Sequence, residues 1–519
     1  MISGLEIAIL VIIAWIVILT ALSGRIAKTK NFQVYGPFLM FKAVKNRGVL
    51  DRVARVNGSK LFSRLSVAIV LVFLVGGIIL LLYESYLATQ IKEVVSVPLT
   101  EYLVLPGINR DIPLVYGSVA LIFSVVVHEL MHGITARKHG LPVSSVGALF
   151  FIIPIGAFVE PEQEAMMAAD PVVRRRIFAA GPSINIVIAL ISFLILVFLL
   201  MPSVHAYQPG AYVQQVTSDS PASNLILPGS ELVSFGNYSG NNILNELQNS
   251  TISPGTMTSV GVISGGTFKQ GEMPAGLVIT GTLKGYPAYN TIFPGGIIAD
   301  IGSTPIYNDT SLTNSLDSIL PGTSINITMI YENKTSSAVS YTTINLITAS
   351  KYNYYSQYAP GLNSPSFKKE SFLGVTASCL GIDGYSMNFM KSTVFGSDAI
   401  YGGTEGFFAT LSLPFQGLSP VPSTLASLFA TPFYTPLFWF ATNMLFWVFW
   451  LSFLLGLTNA LPILITDGGQ FLKDTLYIFG TKRKIKALSN EKTAGAIANY
   501  LGLFIIFLIF WELLIPRII

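Results

Sequence analysis

In six places the apolar positions of this chain run together instead of recurring at the spacing of a surface helix. The runs fall at about 4–22, 65–85, 116–136, 178–201, 436–458 and 495–515. Each is close to the roughly 20 residues that carry a helix across a bilayer, so the pattern predicts six transmembrane helices. The first run has no basic start, Glu6 being its only early charge, and no convincing small-residue cleavage site. It reads as a retained span and not as a signal peptide. Between the fourth and fifth runs the pattern changes. From 207 to 350, β-branched residues alternate with polar ones in stretches such as "GLVIT" and "SINITMI", closed by Gly and Pro. That alternation predicts short strands. The fold class is an α-helical polytopic membrane protein with six transmembrane helices and a mainly-β insert.

Composition supports the first half of this reading. The 519 residues are 51% hydrophobic and 11% charged, where a soluble domain carries about 25% charge. A net charge of +4 is too slight to point to nucleic acid, and the single cysteine, Cys379, excludes an internal disulfide framework. The placement of charge is more informative than its total. Residues 24–64 hold ten Lys/Arg against one acid, Asp51. Residues 135–176 add Arg137, Lys138 and Arg174–Arg176, and residues 470–494 add Lys473, Lys482, Arg483, Lys484, Lys486 and Lys492. Residues 203–432 hold seven lysines and no arginine. The positive-inside rule places the three basic loops in the cytoplasm. Both termini and the β insert then lie outside, and alternation through six spans agrees with each assignment. The outer region carries Asn-x-Ser/Thr triplets at Asn237, Asn249, Asn308, Asn326 and Asn333, a pattern that also arises by chance in Asn- and Thr-rich loops.

Within the insert, a strand "GLVIT" is followed by "FPGGIIADIGSTPI", a helix-like "DTSLTNSLDSIL" and late strands "SINITMIYEN" and "YTTINL". This order resembles a PDZ domain. Residues 210–236 repeat its opening, which implies two PDZ-like units in tandem over 207–350, the second at about 276–350. Such folds take extended peptides at a sheet edge, so docking of peptide or substrate segments is one reading and a spacer is the other. The expected partition is then a two-span region with a basic loop at 1–86 and a first membrane core half at 116–201. The insert follows, then an outer linker or amphipathic segment at 351–435, a second core half at 436–475 and a last span at 495–515.

The third run contains "SVVVHELMHG", residues 124–133. On a helix, His128 and His132 point the same way, and two imidazoles so placed can share one zinc ion. Glu129 sits beside them, placed to take a proton from an attacking water. Ionisable groups inside a span are costly and usually functional. Two histidines leave a catalytic zinc short of its usual third protein ligand. Of the four histidines, His139 lies past Arg137 and Lys138, and His205 belongs to the opposite face. A better candidate is Asp467 in "GLTNALPILITDGGQFLKD", residues 456–474, at the cytoplasmic end of a span. There Pro462, Gly468 and Gly469 interrupt the helix.

His128–His132 on one span, with "NALPILITDGG" on a later one, resembles the site-2 protease family of intramembrane zinc metalloproteases. The family pattern is Asn-x-x-Pro followed by Leu-Asp-Gly. This chain has Asn459, Pro462, Asp467 and Gly468, with Thr466 in place of Leu. "GPSIN", Gly181–Asn185, and "SSVGALFFIIPIGAFVE", residues 144–160, are similar to a family motif opening the next span and to its re-entrant β-loop. The resemblance implies that His128, His132 and Asp467 hold one Zn2+ and that Glu129 is the general base. Asn459, Asn185 and Pro462 would serve the substrate. The implied substrates are single-span membrane proteins, opened within the bilayer, with the edge of the 144–160 hairpin capturing the unwound strand. A membrane metal-ion transporter or channel and a non-catalytic PDZ-like scaffold are the competing readings. The transporter lacks an inverted repeat, and a dead scaffold would usually have lost Glu129 or a ligand.

Overall fold

A computed structural model describes residues 4–29, 31–43, 48–89, 103–151, 153–332, 339–389 and 402–518. The triplet at Asn333 lies outside the described residues. The chain forms two compact units. Of the described residues, one gathers those up to Thr89, from 103 to Leu194 and from Met444 onward; the other takes those from Ile195 to Asn443.

The first unit is built on long apolar helices. After α1 (Gly4–Ile26) and α2 (Gly48–Ala54) come α3 (Asn57–Ala88), α4 (Leu114–Lys138), the short α5 (Gln163–Ala168) and α6 (Pro171–Ile195). Late in the chain follow helices Thr435–Ala460, Asp467–Arg483 and Glu491–Ile518. Among the described residues, five helices are long and apolar enough to cross a membrane, with mean hydropathy of 1.7 to 3.1 over their most apolar windows. They enclose the second to sixth expected runs. The first expected run, 4–22, falls on α1, whose side chains are described only from Ile13 onward.

These helices are sorted for lipid and not for water. On α4, Ala120, Ser124, His128, His132 and Ala136 are all buried, a stripe at four-residue spacing made of small and polar side chains. Val115, Val119 and Phe123 are 63%, 50% and 43% exposed. Small residues inside let backbones approach, and large apolar ones outside meet lipid tails. The hydroxyls of Ser124 and Ser452 lie 2.7 Å apart, joining α4 to the Thr435–Ala460 helix. Gly456 on that helix packs against the carbonyl of Pro182 in α6, where a Cβ would sit 3.0 Å from the oxygen.

A small sheet lies against α4. Strands β3 (Val143–Phe151) and β4 (Ile153–Pro161) form the expected hairpin. The chain also supplies β1 (Phe32–Tyr35) and β2 (Phe38–Ala43), and the order is β1-β2-β3-β4. The early pair reads as part of a basic loop in the sequence. Its apolar "FLMF" run finds a partner only when Leu39–Ala43 is laid against Val146–Phe150. A Cβ on Gly133 would meet Val159, so the glycine lets β4 lie close against α4.

In the second unit the expected tandem arrangement gives way to a nested one. The strands run β5 (His205–Ala206), β6 (Ala211–Val216), β7 (Glu231–Phe235), β8 (Tyr238–Ser239), then helix α7 (Ile243–Gln248), β9 (Met257–Ser264) and β10 (Thr267–Pro274). Next come β11 (Leu277–Thr282), β12 (Ile297–Ile301), β13 (Thr304–Pro305), helix α8 (Asp309–Asp317), β14 (Ser324–Glu332) and β15 (Val339–Ile347). Past residue 350, read from sequence as linker, lie β16 (Ala349–Ser350), helix α9 (Lys351–Tyr358), β17 (Ser371–Phe372), β18 (Val375–Cys379) and β19 (Ile382–Ser386). The first sheet has the order β10-β9-β7-β6-β19 and the second β15-β14-β12-β11-β18. The two strand orders are alike, with one helix between β7 and β9 in the first and between β12 and β14 in the second. The second is inserted into the first, because β19 returns to pair with β6. The linker reading failed because the pairing that closes each sheet is remote in sequence, and short strands such as "VTASC" carry little pattern alone.

One buried acid marks the first sheet. Glu231 opens β7 at 1% exposure, and its Oε1 has no hydrogen-bond partner. Burial pushes its carboxyl up to about 7. The folded form therefore holds its proton over a range in which the unfolded chain has released it, so stability is lost as pH rises from the ordinary carboxylate range toward 7. Glu231→Gln is expected to flatten that loss. Hydrogen exchange of β7 amides between pH 5 and 8, corrected for intrinsic rates, checks it.

Candidate metal centre

The site is assembled by four elements of the first unit. Helix α4 brings His128 and His132 to its buried face one turn apart, 6% and 8% exposed. The Asp467–Arg483 helix brings Asp467 at its first position. Asp467 Oδ2 lies 3.0 Å from each histidine Nε2, and the two Nε2 atoms are 3.1 Å apart. A tetrahedral zinc with ligands at 2.0–2.1 Å separates its donors by about 3.3 Å. The three donor atoms thus converge on one point at nearly the spacing a metal requires, and among the described residues they form the group able to hold one.

Asp467 reaches this point because the backbone ahead of it turns. The Thr435–Ala460 helix ends two residues before Pro462. Thr466 is extended, and its hydroxyl donates to the carbonyls of Leu461 at 2.7 Å and Ile463 at 3.0 Å. Side chains on Gly468 or Gly469 would strike the carbonyls of Ala460, Leu461 and Ile463. The two glycines let the new helix start pressed against the end of the old one.

The far sides of both imidazoles are also held. His132 Nδ1–H donates to the Ile177 carbonyl at 2.7 Å, which leaves the Nε2 lone pair facing Asp467. Asn185, expected at the substrate, is instead fully buried and 3.1 Å from His128 Nδ1 through its amide, while its Oδ1 has no partner. Exchanging the two amide atoms lets His128 Nδ1–H donate to Oδ1 and again leaves Nε2 free for a metal. Asn185 is therefore a positioning residue. A second fit comes from Gly181 on α6. A Cβ there would touch Nε2 of His132 and lie 2.6 Å from Nε2 of His128. The glycine leaves open the space in which the three donors meet.

Beside this point is a cavity of about 560 Å³ lined by Glu129, His132, Ser144, Val159, Glu160, Ile177, Asp467 and others. Glu129 is half-buried, and the Val159 amide of β4 donates to its Oε2 at 3.4 Å. A carboxylate anchored at the cavity wall beside the donors is suited to proton transfer and does not itself join the donor triangle. Asn459 and Pro462 are not among the residues that line this cavity. The Asn459 amide donates to the Leu455 carbonyl one turn back. Pro462 is buried, and its carbonyl would meet a Cβ on Gly502. His139 is also away from the donors, with Nε2 2.9 Å from Ser63 Oγ.

Sequence reasoning passed over one further group. Arg174 donates to Asp474 through Nε at 3.2 Å and Nη2 at 2.8 Å, and to Glu491 at 3.1 Å. Asp474 is 2% exposed. Arg174 is seven residues before Gly181, and Asp474 seven after Asp467. The two helices therefore run antiparallel with a clamp two turns, about 10 Å, from the metal point. The signal was present in the sequence: Asp467 and Asp474 share one helix face. Breaking a buried pair costs about 3–5 kcal/mol. Arg174→Gln is expected to loosen Asp467 and to weaken metal retention about tenfold, like the loss of an outer partner; chelator competition measures it.

Residues 116–509 match the model of Peptidase family M50. An uncharacterized protein of Methanocaldococcus jannaschii is 29% identical over 196 residues, 37% of this chain and 51% of that relative. The chain thus spans about half the length of that relative. The matched family region is more than half of the chain and takes in His128, Glu129, His132 and Asp467, the helices that carry them and the β insert. The chain belongs to Peptidase family M50, the site-2 protease family of membrane metallopeptidases.

Proposed function

We propose that the protein is a zinc-dependent intramembrane endopeptidase that hydrolyses peptide bonds within the transmembrane segments of membrane-anchored proteins. The observation that carries this reading is the convergence of Asp467 Oδ2 on both histidine Nε2 atoms at 3.0 Å, beside a cavity that Glu129 lines. His128, His132 and Asp467 would hold the ion. When bound, zinc supplies Lewis acidity and brings the pKa of water toward about 7. Glu129 takes the proton of the attacking water and returns it to the leaving amine. Ile177 and Asn185 keep the two imidazoles in the tautomer that ligates.

A substrate helix has satisfied its own backbone hydrogen bonds and must unwind before its carbonyl is reached. Strand β4 is terminal in its sheet and turns its Val159 amide to Glu129, and the rest of that edge would pair with an unwound strand. His128 is nine residues from Arg137, roughly 13–14 Å at 1.5 Å per residue. With the basic loops in the cytoplasm, water reaches the site from that side, and both termini and the β insert are extracytoplasmic. There the insert, PDZ-like in its order of elements, docks segments of single-span substrates. The purified protein with a single-span test substrate provides the test. Cleavage is expected to stop on chelation and to return with added zinc. Cleavage indifferent to chelation, with the metal shown to be gone, refutes the reading.

A further inference from the structure

The two nested sheets share a strand order but not an open groove. In the second sheet, β18 is terminal, and α8 faces it. Between them is a cavity of about 280 Å³. Its helix wall is Asp309, Leu312, Thr313, Leu316 and Asp317, one face of α8, and its strand wall includes Val375 and Ala377. In the first sheet, the space beside Leu247 of α7 is about 10 Å³. There Cys379 Sγ–H donates to the Leu247 carbonyl, and Leu380 and Ile382 join the core with Ile243 and Leu247. One groove is filled by the chain itself; the other is open.

The charge in the open groove narrows what it takes. Asp309 and Asp317 stand at opposite ends of α8, about 12 Å apart at 1.5 Å per residue. The lysine at the wall, Lys351, is already held by two acids: Asp317 Oδ1 at 3.0 Å and Glu370 Oε2 at 2.7 Å. The Lys368 ammonium lies over the Tyr352 ring, 5.0 Å from its centroid. Among the residues lining the groove, two carboxylates, Asp309 and Asp317, face one ammonium, Lys351. A free C-terminal carboxylate entering beside Asp317 and Glu370 meets like charge with no uncommitted cation among the lining residues. An extended segment bearing Lys or Arg meets opposite charge and a free strand edge together.

We infer that the groove between α8 and β18 docks an internal, extended, cationic peptide segment by strand addition to β18. The inference rests on the docking role proposed above for the insert, and not on cleavage.

Binding is read by fluorescence anisotropy on the full-length Glu129→Gln protein, so that it stays measurable whether or not the chain is a peptidase. The probes are ten-residue Val/Thr peptides: one with two central arginines and an amidated C-terminus, one with two central glutamates, and one basic with a free C-terminus. The amidated basic peptide is expected to bind at least about tenfold tighter than the acidic one, a difference of about 1.4 kcal/mol. Asp309→Asn with Asp317→Asn is expected to remove about that factor and to flatten the salt dependence. Ala377→Phe, which fills the groove, is expected to abolish binding. Equal binding of basic and acidic peptides, tighter binding of the free carboxylate, no binding, or binding untouched by both variants overturns the inference. Should Ala377→Phe fail to fold, the double Asn variant decides alone.

Discussion

Glu129→Gln is expected to stop cleavage and leave the metal where it is. The two side chains have the same shape, and the glutamine oxygen still accepts from the Val159 amide that anchors Glu129 at 3.4 Å. Glutamine cannot take a proton at neutral pH. General-base contributions run to about 10²–10⁴-fold, and the larger figure applies where no other base reaches the reacting water. The donor triangle of His128, His132 and Asp467 does not include Glu129, so one metal per chain is expected in the variant as in the wild type. The pair of measurements is cleavage of a single-span substrate and metal content by elemental analysis. Unchanged cleavage removes Glu129 from the base role. Lost metal together with lost cleavage makes it a ligand instead. A transporter would show a third pattern, metal retained with lost flux and no cleavage in either form.

How far the chain could be read in advance depended on the range of each interaction. Five spans were legible because the bilayer imposes long apolar runs, a local requirement. The histidine pair was legible because a helix sets residues four apart on one side. Asp467 was legible through its resemblance to a known pattern; an Asp-Gly turn at a helix end points nowhere by itself. The roles of Gly181 and Asn185 were not legible. Both sit in "GPSIN", but the reason for a glycine appears only when α6 is laid across two imidazoles carried by α4. Asn185 read as a substrate ligand, and the fold turns it onto His128. The nesting of the sheets was hidden for the same reason. Ile382–Ser386 completes a sheet whose first strand, Ala211–Val216, lies some 170 residues earlier, and no local alternation records that partnership. The clamp of Arg174 on Asp474 shows the limit from the other side. In the sequence its arginine reads as a topology charge, while its length and fork let it hold a buried carboxylate in the fold.

Gly181→Ala is expected to empty the metal site without unfolding the helix that carries it. The new methyl would lie against Nε2 of His132 and 2.6 Å from Nε2 of His128, in the space where an ion would be. Neither ring can easily swing away. His132 is tied at Nδ1 to the Ile177 carbonyl at 2.7 Å, and His128 at Nδ1 to Asn185 at 3.1 Å. Movement of α6 is opposed by Gly456, which already lies close to Pro182 and Ile186. Metal affinity should therefore fall by more than the roughly 10–100-fold typical of losing an outer partner, and cleavage should fall with it. Helix propensity works in the opposite direction, since alanine in a helix interior is favoured over glycine by about 1 kcal/mol. A variant that keeps its far-UV spectrum and resistance to detergent denaturation, yet holds no zinc at concentrations that saturate the wild type, is the expected result. Full zinc occupancy in a folded Gly181→Ala protein would mean that the ion sits elsewhere, and the shared position of His128, His132 and Asp467 would then need another explanation.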